Sequence, residues 1–161
     1  MNDLDRIKKD FRYLLYIIWR HQGLKEPSWL QYDMAEFMQY GPNRSIVEAM
    51  RGAGKSWMAC AFSCWWLLNN PNDQVLVVSA SSGKASDFSH LIRRWIEVSP
   101  CLQHLIPKES DRNNINKFDV GCRTIPGASA SVTSYGITGQ ITGGRANLII
   151  PDDTETLDNA A

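Results

Sequence analysis

The stretch from Ser45 to Ser56 constrains this chain more than any other. Ser45-Ile46-Val47-Glu48-Ala49 reads as a short strand, Arg51-Gly52-Ala53-Gly54-Lys55-Ser56 as a glycine loop, and the apolar run from about Gly54 to Leu68 as a helix. Strand, loop and helix in this order are the setting in which Gly-Lys-Ser binds phosphate. Gly52 and Gly54 let backbone N–H groups of the loop, Ala53 included, turn inward on an anion. The helix N-terminus adds the positive end of its dipole. Lys55 has the length to reach β- and γ-phosphates, and Ser56 has the hydroxyl to hold Mg²⁺. The general pattern carries a glycine five residues before Gly54, where this chain has Ala49. The motif is therefore a deviant Walker A, and the expected ligands are ATP and Mg²⁺.

Such a loop needs a carboxylate at the tip of a neighbouring strand, where it reaches Mg²⁺ through water. Leu148-Ile149-Ile150-Pro151-Asp152 supplies a strand with Asp152 at its end. A further carboxylate must position and deprotonate the attacking water, and Asp153 and Glu155 both stand close enough in sequence. Two arginines are candidates for stabilising charge in phosphoryl transfer: Arg51 in the loop and Arg145 just before the last strand. Gln31 has an amide able to donate and accept at once, which suits an adenine edge, and its spacing from Ser28 equally suits a capping box.

The remaining pattern alternates. Apolar residues at spacings of three and four predict a helix from about Leu4 to His21, and a second fits Ser28 to Tyr40 before Gly41-Pro42. Val75-Leu76-Val77-Val78 suits a strand covered on both faces, and a helix follows from about Lys84 to Val98. Residues 108–117 read as surface loop, and Phe118-Asp119-Val120 and Ala130-Ser131-Val132 as two short strands joined by a turn at Pro126-Gly127. The fold class is α/β: a parallel sheet flanked by helices, of P-loop NTPase type and incomplete at its C-terminal end. Residues 1–44 are expected to form a helical segment of the ATPase domain and 45–161 its truncated core.

Seventeen Lys+Arg balance seventeen Asp+Glu, which argues against a non-specific nucleic-acid coat but not against a local DNA grip. Cys60, Cys64, Cys101 and Cys122 match no zinc spacing and read as core residues in a reducing cytosol. The apolar run at 13–19 is far below the ~20 residues needed to cross a bilayer, so no membrane association is expected. The six tryptophans are scattered without basic interleaving and read as core rather than as stacking platforms.

From about Phe11 to its end, the chain resembles tailed-phage terminase large subunits, closest to those of short-tailed phages. Gln31-Tyr32-Asp33-Met34-Ala35, residues 51–56, Val77-Val78-Ser79-Ala80-Ser81, Phe118-Asp119-Val120-Gly121, Gly136-Ile137-Thr138-Gly139-Gln140 and Arg145 through Asp153 carry the resemblance. It implies an ATPase in the host cytoplasm that drives double-stranded DNA through a portal protein into a procapsid. It also implies a small terminase subunit as partner and a homo-oligomeric ring. By the family's motif, Gln31 would sit at the adenine, Arg51 and Lys55 at the phosphates, and Asp152 on Mg²⁺. The family usually has glutamate after that aspartate; here the place holds Asp153, and the catalytic carboxylate stays open between Asp153 and Glu155. The coupling motif and the nuclease domain would lie beyond Ala161, so turnover by these residues alone is not expected to follow from binding. Two alternatives share the sequence features: a helicase-type DNA translocase, and a non-catalytic assembly module docking on portal or small subunit.

Overall fold

In the computed structural model, residues 3–125, 127, 129–139 and 145–154 are described. Three helices come first: α1 (Asp3–Lys9), α2 (Phe11–His21) and α3 (Trp29–Tyr40). The single N-terminal helix expected from periodicity is thus two. The break is at Asp10, whose backbone is extended and whose side chain accepts from the N–H of Arg12, so it ends one helix and caps the next. The capping box expected at α3 is formed. Ser28 Oγ accepts from Gln31 N–H, and Gln31 Oε1 accepts from Ser28 N–H.

Helix α4 (Lys55–Asn69) is apolar nearly all round and forms the spine of the core. Phe11 of α2 meets Phe62 edge-on at 5.2 Å, and Trp65 donates its indole N–H to the carbonyl of Ile7, which seats α1 and α2 against α4. Strand β1 (Val75–Ser79) follows, then α5 (Ser82–Val98), a 3-10 turn at Pro100–Leu105, β2 (Asn113–Asn114), β3 (Lys117–Phe118), β4 (Val132–Gly136) and β5 (Leu148–Asp152). The strand order is β2-β3-β4-β1-β5. The β4, β1 and β5 strands run parallel, whereas β2 and β3 add an antiparallel hairpin at one edge. The sheet is therefore mixed, not purely parallel.

Three expectations about elements are corrected. Residues 45–49 keep a period-2 exposure pattern, with Val47 and Ala49 turned to the core and Ile46 and Met50 82% and 71% exposed. They form no strand, because among the described residues no neighbour offers them a ladder. The strand expected at 130–132 begins instead at Val132 and runs to Gly136, while the pairing of Phe118 with Val132 does bring those two segments together. The loop expected at 108–117 contains β2, and Pro126 of the expected turn lies outside the described residues.

The chain leaves β1 toward β4 on one side and returns to β5 on the other. In an open α/β sheet, the crevice beyond the carboxyl ends of the strands at such a reversal is where ligands bind. Gly136 closes part of this region. A Cβ there would stand 2.5 Å from the Ser82 nitrogen and 2.7 Å from the Ser81 carbonyl carbon, so only glycine lets the end of β4 touch the start of α5.

Candidate functional site

The glycine loop enters α4 through Gly54, which serves as N-cap in the left-handed region at φ +82°. Gly52 has φ +87°. Two positive φ values within three residues turn the intervening amides, and glycine adopts them without strain. Lys55 does not extend into solvent: its Nζ donates to the Ala49 carbonyl at 2.8 Å, so the loop is closed on its own lysine. Ser56 Oγ donates to Asp152 Oδ1 at 3.0 Å across 96 residues of sequence. That bond joins the first turn of α4 to the tip of β5, where Asp152 stands opposite Ser79 in the parallel ladder.

Asp152 is half-buried, and its carboxyl is pushed above the ordinary carboxylate range. Burial is the main cause and the neighbouring Asp153 charge adds to it, while the Ser56 hydrogen bond, Lys84 and Lys55 pull the other way. A carboxylate that the fold does not fully compensate is suited to a cation. Asp153 is the only non-glycine with positive φ among the described residues, at +44°. Pro151 lacks an N–H, and β5 is an edge strand, so the missing donor breaks no described ladder.

These elements line a cleft of about 830 Å³ that brings together Gln31, Arg51, Gly52, Gly54, Lys55, Ser56 and Asp153. Gln31 crosses from α3: its Nε2 donates to the Ala53 carbonyl at 3.2 Å while its Oε1 stays in the capping box. Both ends of the amide thus have partners within the chain, and α3 is tied to the loop. Arg51 is exposed at the cleft. Arg145 is not brought to it. Asn147 and Leu148 donate to the Gln74 carbonyl at the start of β1, so Arg145 lies toward the opposite end of the sheet from Asp152. Leu148 and Asp152 alone are separated by roughly 13 Å at the usual strand rise. Glu155 lies outside the described residues.

Residues 46–160 match the family model described as terminase large subunit, T4likevirus-type, N-terminal. The chain is also 41% identical over 157 residues to a terminase large subunit of Enterobacteria phage T3, covering 97% of this chain and 27% of that relative. The chain belongs to the terminase large-subunit family.

Its match is to the N-terminal region of such subunits, and it spans about a quarter of the length of the curated relative. The site of this family member includes residues that its sequence did not single out. Trp19, Leu24 and Trp57 line the cleft beside the loop. Trp57 is 40% exposed and Trp29 78%, so the reading of the tryptophans as core holds for Trp19 and Trp95 but not for these two. The only signal for Trp57 was its place directly after Ser56. Cys60 and Cys64 are buried with thiols pushed well up by desolvation, Cys101 and Cys122 are partly buried, and all four are free. Among the described residues no cluster of three metal-binding side chains exists, and no helix is long and apolar enough to cross a membrane.

Proposed function

We propose that this cleft binds ATP with Mg²⁺, on a P-loop NTPase fold, as the ATPase part of a terminase large subunit that powers packaging of double-stranded DNA into procapsids. The observation that carries the reading is the Ser56–Asp152 hydrogen bond at 3.0 Å. It pairs the loop hydroxyl with a strand-tip carboxylate, the two oxygens this chemistry requires on one cation. The donor set fits Mg²⁺ held in part by phosphate: Mg²⁺ typically uses one or two carboxylates plus substrate oxygens rather than a protein cage. Ser56 and Asp152 would hold Mg²⁺, whose positive charge would offset the negative charge that develops in phosphoryl transfer.

The chain's own groups divide the remaining work. The amides between Gly52 and Ser56 and the α4 N-terminus hold phosphate oxygens. Lys55 exchanges the Ala49 carbonyl for a phosphate oxygen, a stronger, charge-assisted partner. Arg51, exposed at the cleft, offsets charge on the transferred group. Of the two described carboxylates that line the cleft, Glu26 and Asp153, the one next to Asp152 is Asp153, which orients water and takes its proton. The partners consistent with this reading are double-stranded DNA, a portal protein, a small terminase subunit and further copies of the chain in a ring. Calorimetric titration of ATP in the presence of Mg²⁺ tests it. Saturable binding is expected, with Lys55→Ala abolishing it in a protein that keeps its circular dichroism. A folded wild-type chain that takes up no heat would refute the reading.

A further inference from the structure

We propose that Trp57 is the stacking face for the base of the bound nucleotide, held in place by Trp19 and Trp95; this rests on reading the cleft as a nucleotide site. If the loop amides and α4 N-terminus hold the terminal phosphates, the remainder of the ligand leaves across the first turn of α4. Trp57 occupies that turn, one residue after Ser56, and is exposed into the cleft. Its ring is nearly perpendicular to those of Trp19 and Trp95, with centroids at 6.0 Å and 5.8 Å, while Trp19 and Trp95 lie 5.7 Å apart. Trp19 comes from α2 and Trp95 from α5, both buried. Two elements, α2 and α5, therefore brace one indole that lines the cleft and is still 40% exposed. A rigid aromatic face loses little entropy on contact, and stacking on a base is sequence-tolerant because every base has a π-face.

The Gln31 amide sharpens the expectation. Its oxygen already accepts from Ser28 N–H and its nitrogen already donates to the Ala53 carbonyl. One donor and one acceptor site of the amide are thus committed within the chain, and the larger stacking area ranks purines above pyrimidines.

The test titrates the 161-residue chain with the Mg²⁺ complexes of tripolyphosphate, ATP and CTP, in wild type, Trp57→Leu and Trp57→Phe. Wild type is expected to bind ATP more tightly than CTP, and both more tightly than tripolyphosphate. Trp57→Leu should weaken ATP by about tenfold, in line with a stacking contact, and leave tripolyphosphate unchanged. Trp57→Phe should restore most of the loss. ATP should alter tryptophan emission in wild type, where tripolyphosphate does not. Equal affinities of wild type for ATP and tripolyphosphate overturn the stacking role and leave the phosphate site standing. So does a Trp57→Leu loss that is the same for both ligands. Absence of binding by either ligand overturns the nucleotide site itself. The wild-type comparison needs no variant, so a folding defect in Trp57→Leu does not blunt the test.

Discussion

Asp152 carries a tension between stability and binding. Its carboxyl is raised by burial, so the fold favours the protonated form. The corresponding stability is fully present below the ordinary carboxylate range and is lost as pH rises through the raised folded value. At neutral pH the charge therefore opposes the ligand-free fold. Asp152→Asn is expected to raise the thermal midpoint of the ligand-free protein at pH 7. The gain should vanish at a pH below the ordinary carboxylate range, and Mg²⁺-dependent binding should weaken; melting curves across pH read the first and calorimetry the second. Gly54 behaves oppositely. A side chain at φ +82° is strained, and its Cβ would stand 3.1 Å from Gln31 Nε2. Gly54→Ala should destabilise by about 1–2 kcal/mol in denaturant unfolding and disturb the loop's tie to α3. Gly54 and the Ser56–Asp152 pairing were legible because loop chemistry and a strand-tip carboxylate are local patterns. The role of Gln31 as a tether was half legible: the capping box is a spacing, but the Ala53 carbonyl is reached only in three dimensions. Trp57 was hidden because α4 is apolar on every side, so no periodicity marks which position opens to the cleft.

At the scale of elements, the arrangement depends on a few close approaches. The Gly136 contact lets β4 end against the start of α5, beside the Ser79–Asp152 pair. Gly136→Ala should push the two apart and destabilise by ~1–3 kcal/mol, the range for overpacking, measured by urea unfolding. The loop between β3 and β4 is held by Asp119, which accepts from Arg123 Nη1 at 2.6 Å and from Ser131 N–H at 2.9 Å. The pair is largely buried, so Asp119→Ala leaves a charge without its partner and should destabilise by ~3–5 kcal/mol, again by urea unfolding. The helices and β1 were legible from periodicity and caps. The break at Asp10 was not read, because the apolar spacing continues across it. Residues 45–49 have the alternation of a strand, but a strand exists only when a neighbour supplies its hydrogen bonds, and that is a property of the sheet.

Across the whole molecule, one core joins helices α1–α3 to α4, the sheet and α5, and the cleft reaches Asp153, just past the carboxyl end of β5. The strand β5 is the outer strand of the described sheet, with Ile149 58% exposed. An open apolar edge invites pairing between copies. Ile149→Lys should lower light scattering on concentration while changing stability by no more than about 0.5 kcal/mol. The α/β class was readable from the alternation of elements; the antiparallel hairpin was not, because two-residue strands leave almost no pattern. The account stands on Ser56 and Asp152 sharing one cation with the nucleotide. A double-mutant cycle over Ser56→Ala, Asp152→Ala and the pair, read as the Mg²⁺ dependence of ATP affinity, tests this most directly. The prediction is that each single change removes most of that dependence and the double change removes little more. Mg²⁺ dependence that survives in both single variants would contradict it.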